Sequence, residues 1–275
     1  MREEQLDLTV REWVEAGGSV KTPERVSSDK AYVKMIKSRD DNKKHFTSVS
    51  DKECSQVFNT LTLEQAGIML SMFAYMELGD SGLLIHNGKR LGVKELAKLF
   101  KKSESTLKRI LSELEAYGYI LTQREGRKNI YAVNTMLATR GEQAGEGFFT
   151  KVFVARLRDA LKVLTVQEAG LLFFMLPYFN SRAYVLSDNP YELDLSKIKL
   201  WDREELAEKT GISLRNIKRL VPSMMKKGVL VGIKTCRTAV VLSPELVSRH
   251  RKKVTVEDIT QIISNELNKT EKMAW

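Results

Sequence analysis

No stretch of the 275 residues approaches the roughly 20 apolar residues that a membrane-spanning helix needs; the longest apolar run, Leu171–Leu176, is core-helix material. Cysteine is almost missing. Cys54 and Cys236 are the only two, which argues against a disulfide scaffold, suits a reducing cytosol, and leaves both as small, partly buried hydrophobes. The first residues include Glu3, Glu4 and Asp7, unlike a secretory signal or a basic transit peptide, so a cytoplasmic location is expected. Catalytic signatures are absent too. There is no GxxxxGK[ST] phosphate loop, no GxGxxG opening a helix and no HExxH pair. His45, His86 and His250 stand apart, with no cysteine or carboxylate at metal-ligand spacing. Tyr131 and Tyr184 lack the basic surroundings of a strand-transfer nucleophile. The expectation is a protein that is not an enzyme and needs no cofactor or metal.

What is present is positive charge and repetition. The formal net charge is +10, which invites a polyanionic partner, because neutralised phosphates release counterions on binding. The segment 61–70, Leu-Thr-Leu-Glu-Gln-Ala-Gly-Ile-Met-Leu, recurs at 164–173 as Leu-Thr-Val-Gln-Glu-Ala-Gly-Leu-Leu-Phe, an offset of 103. Phe46-Thr47 and Phe149-Thr150 share that offset. Further on the offset is 110: Glu95-Leu96-Ala97 matches Glu205-Leu206-Ala207, Leu107-Lys108-Arg109-Ile110 matches Ile217-Lys218-Arg219-Leu220, and Gly118-Tyr119-Ile120 matches Gly228-Val229-Leu230. The second copy therefore carries an insertion around Asp188–Lys199, as loops tolerate.

Each copy reads alike. An almost wholly apolar first helix spans about Leu63–Leu78 or Val166–Asn180. A short second helix covers about Val93–Phe100 or Arg203–Lys209, the latter opened by a capping box of Asp202 and Glu205. A third begins at the N-cap residues Ser103 or Ser213. Leu107, Ile110, Leu111 and Leu114, like Ile217, Leu220, Val221 and Met224, put one apolar seam on it. Gly118 and Gly228 end it. Two strand-like runs follow, Tyr119–Gln123 with Ile130–Val133 and Val229–Ile233 with Ala239–Leu242, making a hairpin. Pro177 and Pro222 fall inside the first and third helices of copy two, so a kink or early end is expected near Val221. Helix, helix, turn, helix, hairpin is the winged-helix order. The predicted fold is mainly α with small β-hairpin wings, in two tandem winged helix-turn-helix domains at 46–138 and 149–247. A linker occupies 139–148. Residues 1–45 form a charge-dense arm in which Gly17-Gly18 and Pro23 break any helical pattern; Leu6, Leu8, Val10, Trp13 and Val14 read either as a short docking element or as part of a flexible arm. Residues 248–275 hold the basic cluster Arg249–Lys253, read as a phosphate contact or as a solvated turn, and a C-terminal helix over Val256–Leu267 that packs on domain two or mediates a homodimer.

In a helix-turn-helix the seam of the third helix packs inward and the other face enters the major groove. The residues left on that face are Ser105, Thr106, Lys108 and Arg109 in copy one, and Ser213, Arg215, Asn216, Lys218 and Arg219 in copy two. Arginine grips guanine and asparagine grips adenine in bidentate fashion, so Arg215 and Asn216 are the candidate base readers; the Lys-Arg pairs suit bases or phosphates. The hairpin tips Arg124, Arg127 and Lys128, and Lys234 and Arg237, are placed to meet backbone phosphates or a minor groove. Charge is uneven. Ser213–Lys227 has five basic and no acidic residues, whereas Ser103–Tyr117 has two basic and three acidic. Phe149–Ser243 has 16 basic and 9 acidic residues; Phe46–Asn134 has 12 and 10. The second domain should bind DNA more strongly, while the first adds specificity or faces a protein.

Phe149-Thr-Lys-Val-Phe, Leu164-Thr-Val-Gln-Glu-Ala-Gly-Leu-Leu, Leu206-Ala-Glu-Lys-Thr-Gly-Ile-Ser213 and Lys227-Gly-Val-Leu230 form a series that resembles the winged-helix replication proteins of Gram-positive plasmids and their phage relatives; Asn129-Ile-Tyr-Ala-Val-Asn134 fits the same type. The resemblance covers roughly Phe46–Ser243 and is shared with winged-helix transcription regulators. It implies double-stranded DNA as partner, origin binding and recruitment of host replication proteins. A transcription regulator meeting host transcription proteins, and a winged-helix adaptor in chromosome or plasmid maintenance, are the alternative functions.

Overall fold

Pro23 sits at the first position of a helix, α1 (Pro23–Lys43), where its missing N–H has no helical partner to lose and its fixed φ is already helical. The expectation that Pro23 breaks a helix is thereby corrected: proline obstructs a helix interior and opens a helix start. The computed structural model describes Glu15 and residues 21–43, 46–57, 59–141, 147–233, 236–250 and 254–263. It divides into a unit over Met1–Lys43, to which α1 belongs, and a unit over Lys44–Trp275. Leu6, Leu8, Val10, Trp13, Val14 and Gly17-Gly18 lie outside the described residues.

The larger unit mixes helices with small antiparallel sheets. Its first half runs β1 (Phe46–Ser50), α2 (Asp51–Val57), α3 (Leu63–Phe73), β2 (Ile85–His86), β3 (Lys89–Arg90), α4 (Val93–Leu99), α5 (Glu104–Ala116), β4 (Ile120–Glu125), β5 (Lys128–Val133) and β6 (Ala138–Arg140). The second half runs β7 (Phe149–Phe153), α6 (Val154–Val163), α7 (Val166–Met175), α8 (Arg203–Thr210), α9 (Leu214–Lys226), β8 (Leu230–Ile233), β9 (Cys236–Leu242) and β10 (Val247–Ser248). Residues 256–263 are helical, with Ile259 and Ile263 buried in the core.

The two halves share one sheet, in the order β10-β7-β1-β6, with every neighbour antiparallel. Ser48 faces Lys151 at its centre, and these two positions are one repeat offset apart. Thr139 lies beyond Ser48 and Ser248 beyond Lys151. An antiparallel pair of equivalent strands is what an internal pseudo-twofold axis produces. Thr139 and Arg140, read from sequence as linker, are therefore strand residues, held by pairing to β1.

The same axis governs the helices. Thr62 with Gln65 and Thr165 with Glu168 form equivalent capping boxes that start α3 and α7. Both helices are buried nearly all round, and they cross at equivalent glycines. A Cβ on Gly67 would lie 2.0 Å from the Val166 carbonyl oxygen, and one on Gly170 would lie 2.0 Å from that of Leu63. The backbones touch there. Gly170→Ala is expected to push α3 and α7 apart and destabilise by about 3 kcal/mol, the upper part of the usual overpacking range. Urea unfolding measures it, and a loss under about 1 kcal/mol, the ordinary helix-propensity scale, would contradict the close crossing.

Two prolines behave differently from each other. Helix α7 stops at Met175 and continues as a single 3-10 turn over Leu176–Tyr178, because Pro177 has no N–H for the carbonyl four residues back. The apolar pattern predicts this helix to about Asn180, and the proline ends it five residues sooner, at Met175. Helix α9, by contrast, runs through Pro222 to Lys226, with no early end at Val221. Ile217, Leu220, Val221 and Met224 are all buried, and that tertiary burial outweighs the roughly 3 kcal/mol an interior proline costs.

The insertion in copy two is pinned by one carboxylate. Asp188 accepts a bond from the buried Trp201 indole at 2.9 Å and pairs with Lys209 at 3.0 Å and Lys199 at 3.2 Å. The Lys209 bond, then the indole, hold its pKa down to about 2, against 3.8 for an ordinary aspartate. A depressed acid stabilises the fold above its unfolded pKa and loses that contribution as pH falls through the folded value. Stability is therefore expected to drop between about pH 4 and pH 2, with the drop followed by urea unfolding across that range. Asp188→Asn should flatten that part of the profile; an unaltered profile would remove Asp188 from the account.

Candidate nucleic-acid interface

Helices α5 and α9 each begin on a serine that does a structural job. Ser103 Oγ accepts the Thr106 N–H at 3.2 Å, and Ser213 Oγ accepts the Asn216 N–H at 3.4 Å. Each capped start follows a turn in a left-handed conformation, at Lys101 (φ 54°) and at Gly211 (φ 67°). The seam residues of both helices are buried, so the opposite faces are turned outward. Ser105, Lys108 and Arg109 are exposed, and Thr106 is half-buried. In copy two Ser213, Arg215, Lys218 and Arg219 are exposed, with Asn216 half-buried. Gly118 and Gly228, at φ 74° and 71°, turn the chain out of the two helices into β4 and β8. Arg124, Arg127 and Lys128 are exposed at the β4–β5 tip. Lys234 and the Arg237 side chain lie outside the described residues.

The two faces differ in what their cations already hold. In copy one Arg109 pairs with Glu113 at 2.8 Å, Lys128 with Glu95 at 3.7 Å, and Arg90 of β3 with Glu125 of β4 at 2.9 Å. Lys102 donates to Glu64. In copy two Arg219 donates to the neutral Gln167 at 2.8 Å, and Lys218 approaches Glu204 only at 4.0 Å. Arg215 makes no ion pair among the described residues. These are exposed pairs of small individual worth, but they partly cancel the field of copy one and leave that of copy two.

One cation counted on the copy-two helix is turned inward. Lys227 Nζ donates to both oxygens of Glu168, at 2.8 and 2.6 Å. Burial alone would raise the Glu168 carboxyl; the bonds from Lys227, Ser223 and Thr165 outweigh it and hold the group below its ordinary value. Lys227 is a structural residue there. Its neighbour Lys226 is exposed.

Arg249 is likewise removed from the surface, so it is neither a phosphate contact nor part of a solvated turn. Its side chain is 4% exposed and pairs at 2.9 Å with Asp51, itself 5% exposed. The guanidinium also donates to the carbonyls of Phe179, Leu176 and Pro177 at 2.6, 3.0 and 2.9 Å. Thr150 donates to Asp51 at 2.8 Å, and Tyr191 from the insertion does so at 2.5 Å. Burial holds the Asp51 carboxyl above its ordinary value, and Arg249, Tyr191 and Thr150 pull it only part of the way back. Arg140 is the pseudo-equivalent of Arg249: it donates to Met76 O at 2.9 Å, as Arg249 does to Phe179 O. Position 154, equivalent to Asp51, is valine. No motif in the sequence announces this buried cluster, because its members come from four separate segments.

Among the described residues no group of three or more His, Cys, Asp or Glu side chains is placed to hold a metal ion, and no helix is long and apolar enough to cross a membrane. No family model, curated protein or solved structure matches the chain.

Proposed function

We propose that the chain is a sequence-specific double-stranded DNA-binding protein built from two tandem winged-helix domains, and that it serves as a plasmid- or phage-type replication initiator. The observation that carries the DNA reading is the exposed Arg215, Lys218 and Arg219 face of α9, set on a helix whose opposite seam is buried and whose start follows a tight turn. Helix, turn, helix and hairpin recur in both halves around a pseudo-twofold axis. A paired set of third helices suits two half-sites of an inverted repeat, since the symmetry of the reader mirrors that of the site. Arg215 and Asn216 face bases in this reading, while Lys218, Arg219, Lys108 and Arg109 hold phosphates or bases. The process assignment rests on the resemblance in sequence to plasmid and phage initiators.

Gel shifts of the intact protein on duplex DNA across a salt series test the proposal. The expected result is binding that weakens linearly in log salt, as counterion release requires. Binding that is absent or insensitive to salt would overturn it. Footprinting on the encoding replicon then separates roles: repeated sites at an origin fit an initiator, and a single promoter site fits a transcription regulator. The paired cations and the three acids of α5 weaken the DNA contact of the first half, and favour as the second reading an adaptor in which that half meets a protein instead of a half-site.

A further inference from the structure

The pseudo-twofold axis supplies an internal control: any place where the two halves differ in volume and charge at once has a difference to explain. One such place is a cleft of about 220 Å³ between the halves. Ser71 and Ala169, both buried, form its floor, and Phe100, Leu164 and Val166 line its walls. At its mouth stand exposed Lys101 and half-buried Lys102, the turn that leads into α5.

The equivalents in the other half are Phe174 for Ser71, Gly211 for Lys101 and Ile212 for Lys102. A buried phenylalanine stands where the cleft has a serine, and no cation marks the equivalent turn. Lys101 holds a left-handed φ of 54° that costs Gly211 nothing. Lys102 is bonded to Glu64, whereas Lys101 has no ion-pair partner among the described residues. The Arg158 guanidinium adds charge nearby, 5.4 Å above the ring of Tyr75, which also lines the cleft. Apolar walls with convergent cationic groups are the makeup of a small-ligand site. The volume exceeds that of the roughly 150 Å³ cavity known to hold benzene.

We propose that this cleft binds a small amphipathic carboxylate, with its hydrocarbon body against Phe100, Leu164 and Val166 and its charged end at Lys101 and Lys102. The proposal is independent of the DNA reading, and its test does not use DNA. Octanoate titrated calorimetrically into the intact protein is expected to bind saturably at one site, and 1-octanol at least about tenfold more weakly, because it lacks the charge-assisted bond. Ser71→Phe, which copies the residue at the equivalent position of the other half, should abolish octanoate binding while the unfolding midpoint stays level or rises. Lys101→Ala should weaken octanoate severalfold and leave octanol unchanged; it serves if the phenylalanine variant does not fold. No saturable octanoate binding below its micelle concentration, equal affinity for octanol, or undiminished binding by Ser71→Phe would each overturn the proposal.

Discussion

Replacing Arg215, Lys218 and Arg219 together by alanine is expected to lower affinity for duplex DNA by about two to three orders of magnitude at moderate salt. The slope of log affinity against log salt should fall by about 2.7 if all three meet phosphates, since each contact contributes about 0.9. A smaller change in slope with a larger change in sequence preference would instead mark Arg215 as a base reader, where one bidentate contact discriminates by about 1–3 kcal/mol. The comparison that gives this weight is Lys108→Ala with Arg109→Ala. Arg109 is already held by Glu113 at 2.8 Å, so the copy-one pair should cost about tenfold or less. Unchanged affinity in the copy-two variant would refute the site. Equal losses in both halves would refute the asymmetry. Unfolding curves on the same samples separate lost binding from lost fold, and these surface residues should leave the midpoint unmoved.

Asp51→Ala should be the most damaging polar substitution. It strips the Arg249 guanidinium of its carboxylate in a site where both side chains are nearly inaccessible. Breaking a buried pair from one side typically costs about 3–5 kcal/mol, because a charge is left buried and uncompensated. For the larger unit that is a fall in midpoint of roughly 10 °C. Asp51→Asn, whose one amide oxygen can still accept from Thr150 or Tyr191 but not from both, should lose less. Tyr191→Phe removes a single bond to the same carboxylate and should cost about 1 kcal/mol. The three ordered losses test the network as a network; a midpoint for Asp51→Ala within about 2 °C of the parent would show that Arg249 is satisfied by its backbone carbonyls alone. The cluster fastens one end of the shared sheet: Asp51 follows β1, Thr150 lies in β7 and Arg249 follows β10. At the pseudo-equivalent end valine occupies the aspartate position, so the fastening belongs to one side only.

Periodicity made much of this visible in advance. The apolar seams of α5 and α9, the serine caps, the terminating glycines and both hairpins depend on residues within a few positions of one another, and such local rules leave a local pattern. The central sheet was missed for the opposite reason. Its strands are two to five residues long, too short to register as periods, and each pairs with a strand from a distant part of the chain. The matching Phe-Thr pairs at 46 and 149 were its one trace. Lys227 and Arg249 illustrate the same limit in charge. Each stands among basic neighbours and reads as surface, yet each finds a buried carboxylate 59 or nearly 200 positions away.

From the residues in order one could know that a unit had been duplicated, where its three repeated helices begin, and that copy two carries the excess of positive charge, because composition and short-range spacing carry that information. That the duplicates are fused through one sheet and a glycine-to-glycine helix crossing, that an insertion in one reaches the buried acid of the other, and that a cleft opens beside Ser71 where the other half buries Phe174 follow from packing. Packing joins residues by distance in space, and the chain does not encode that distance in any local pattern.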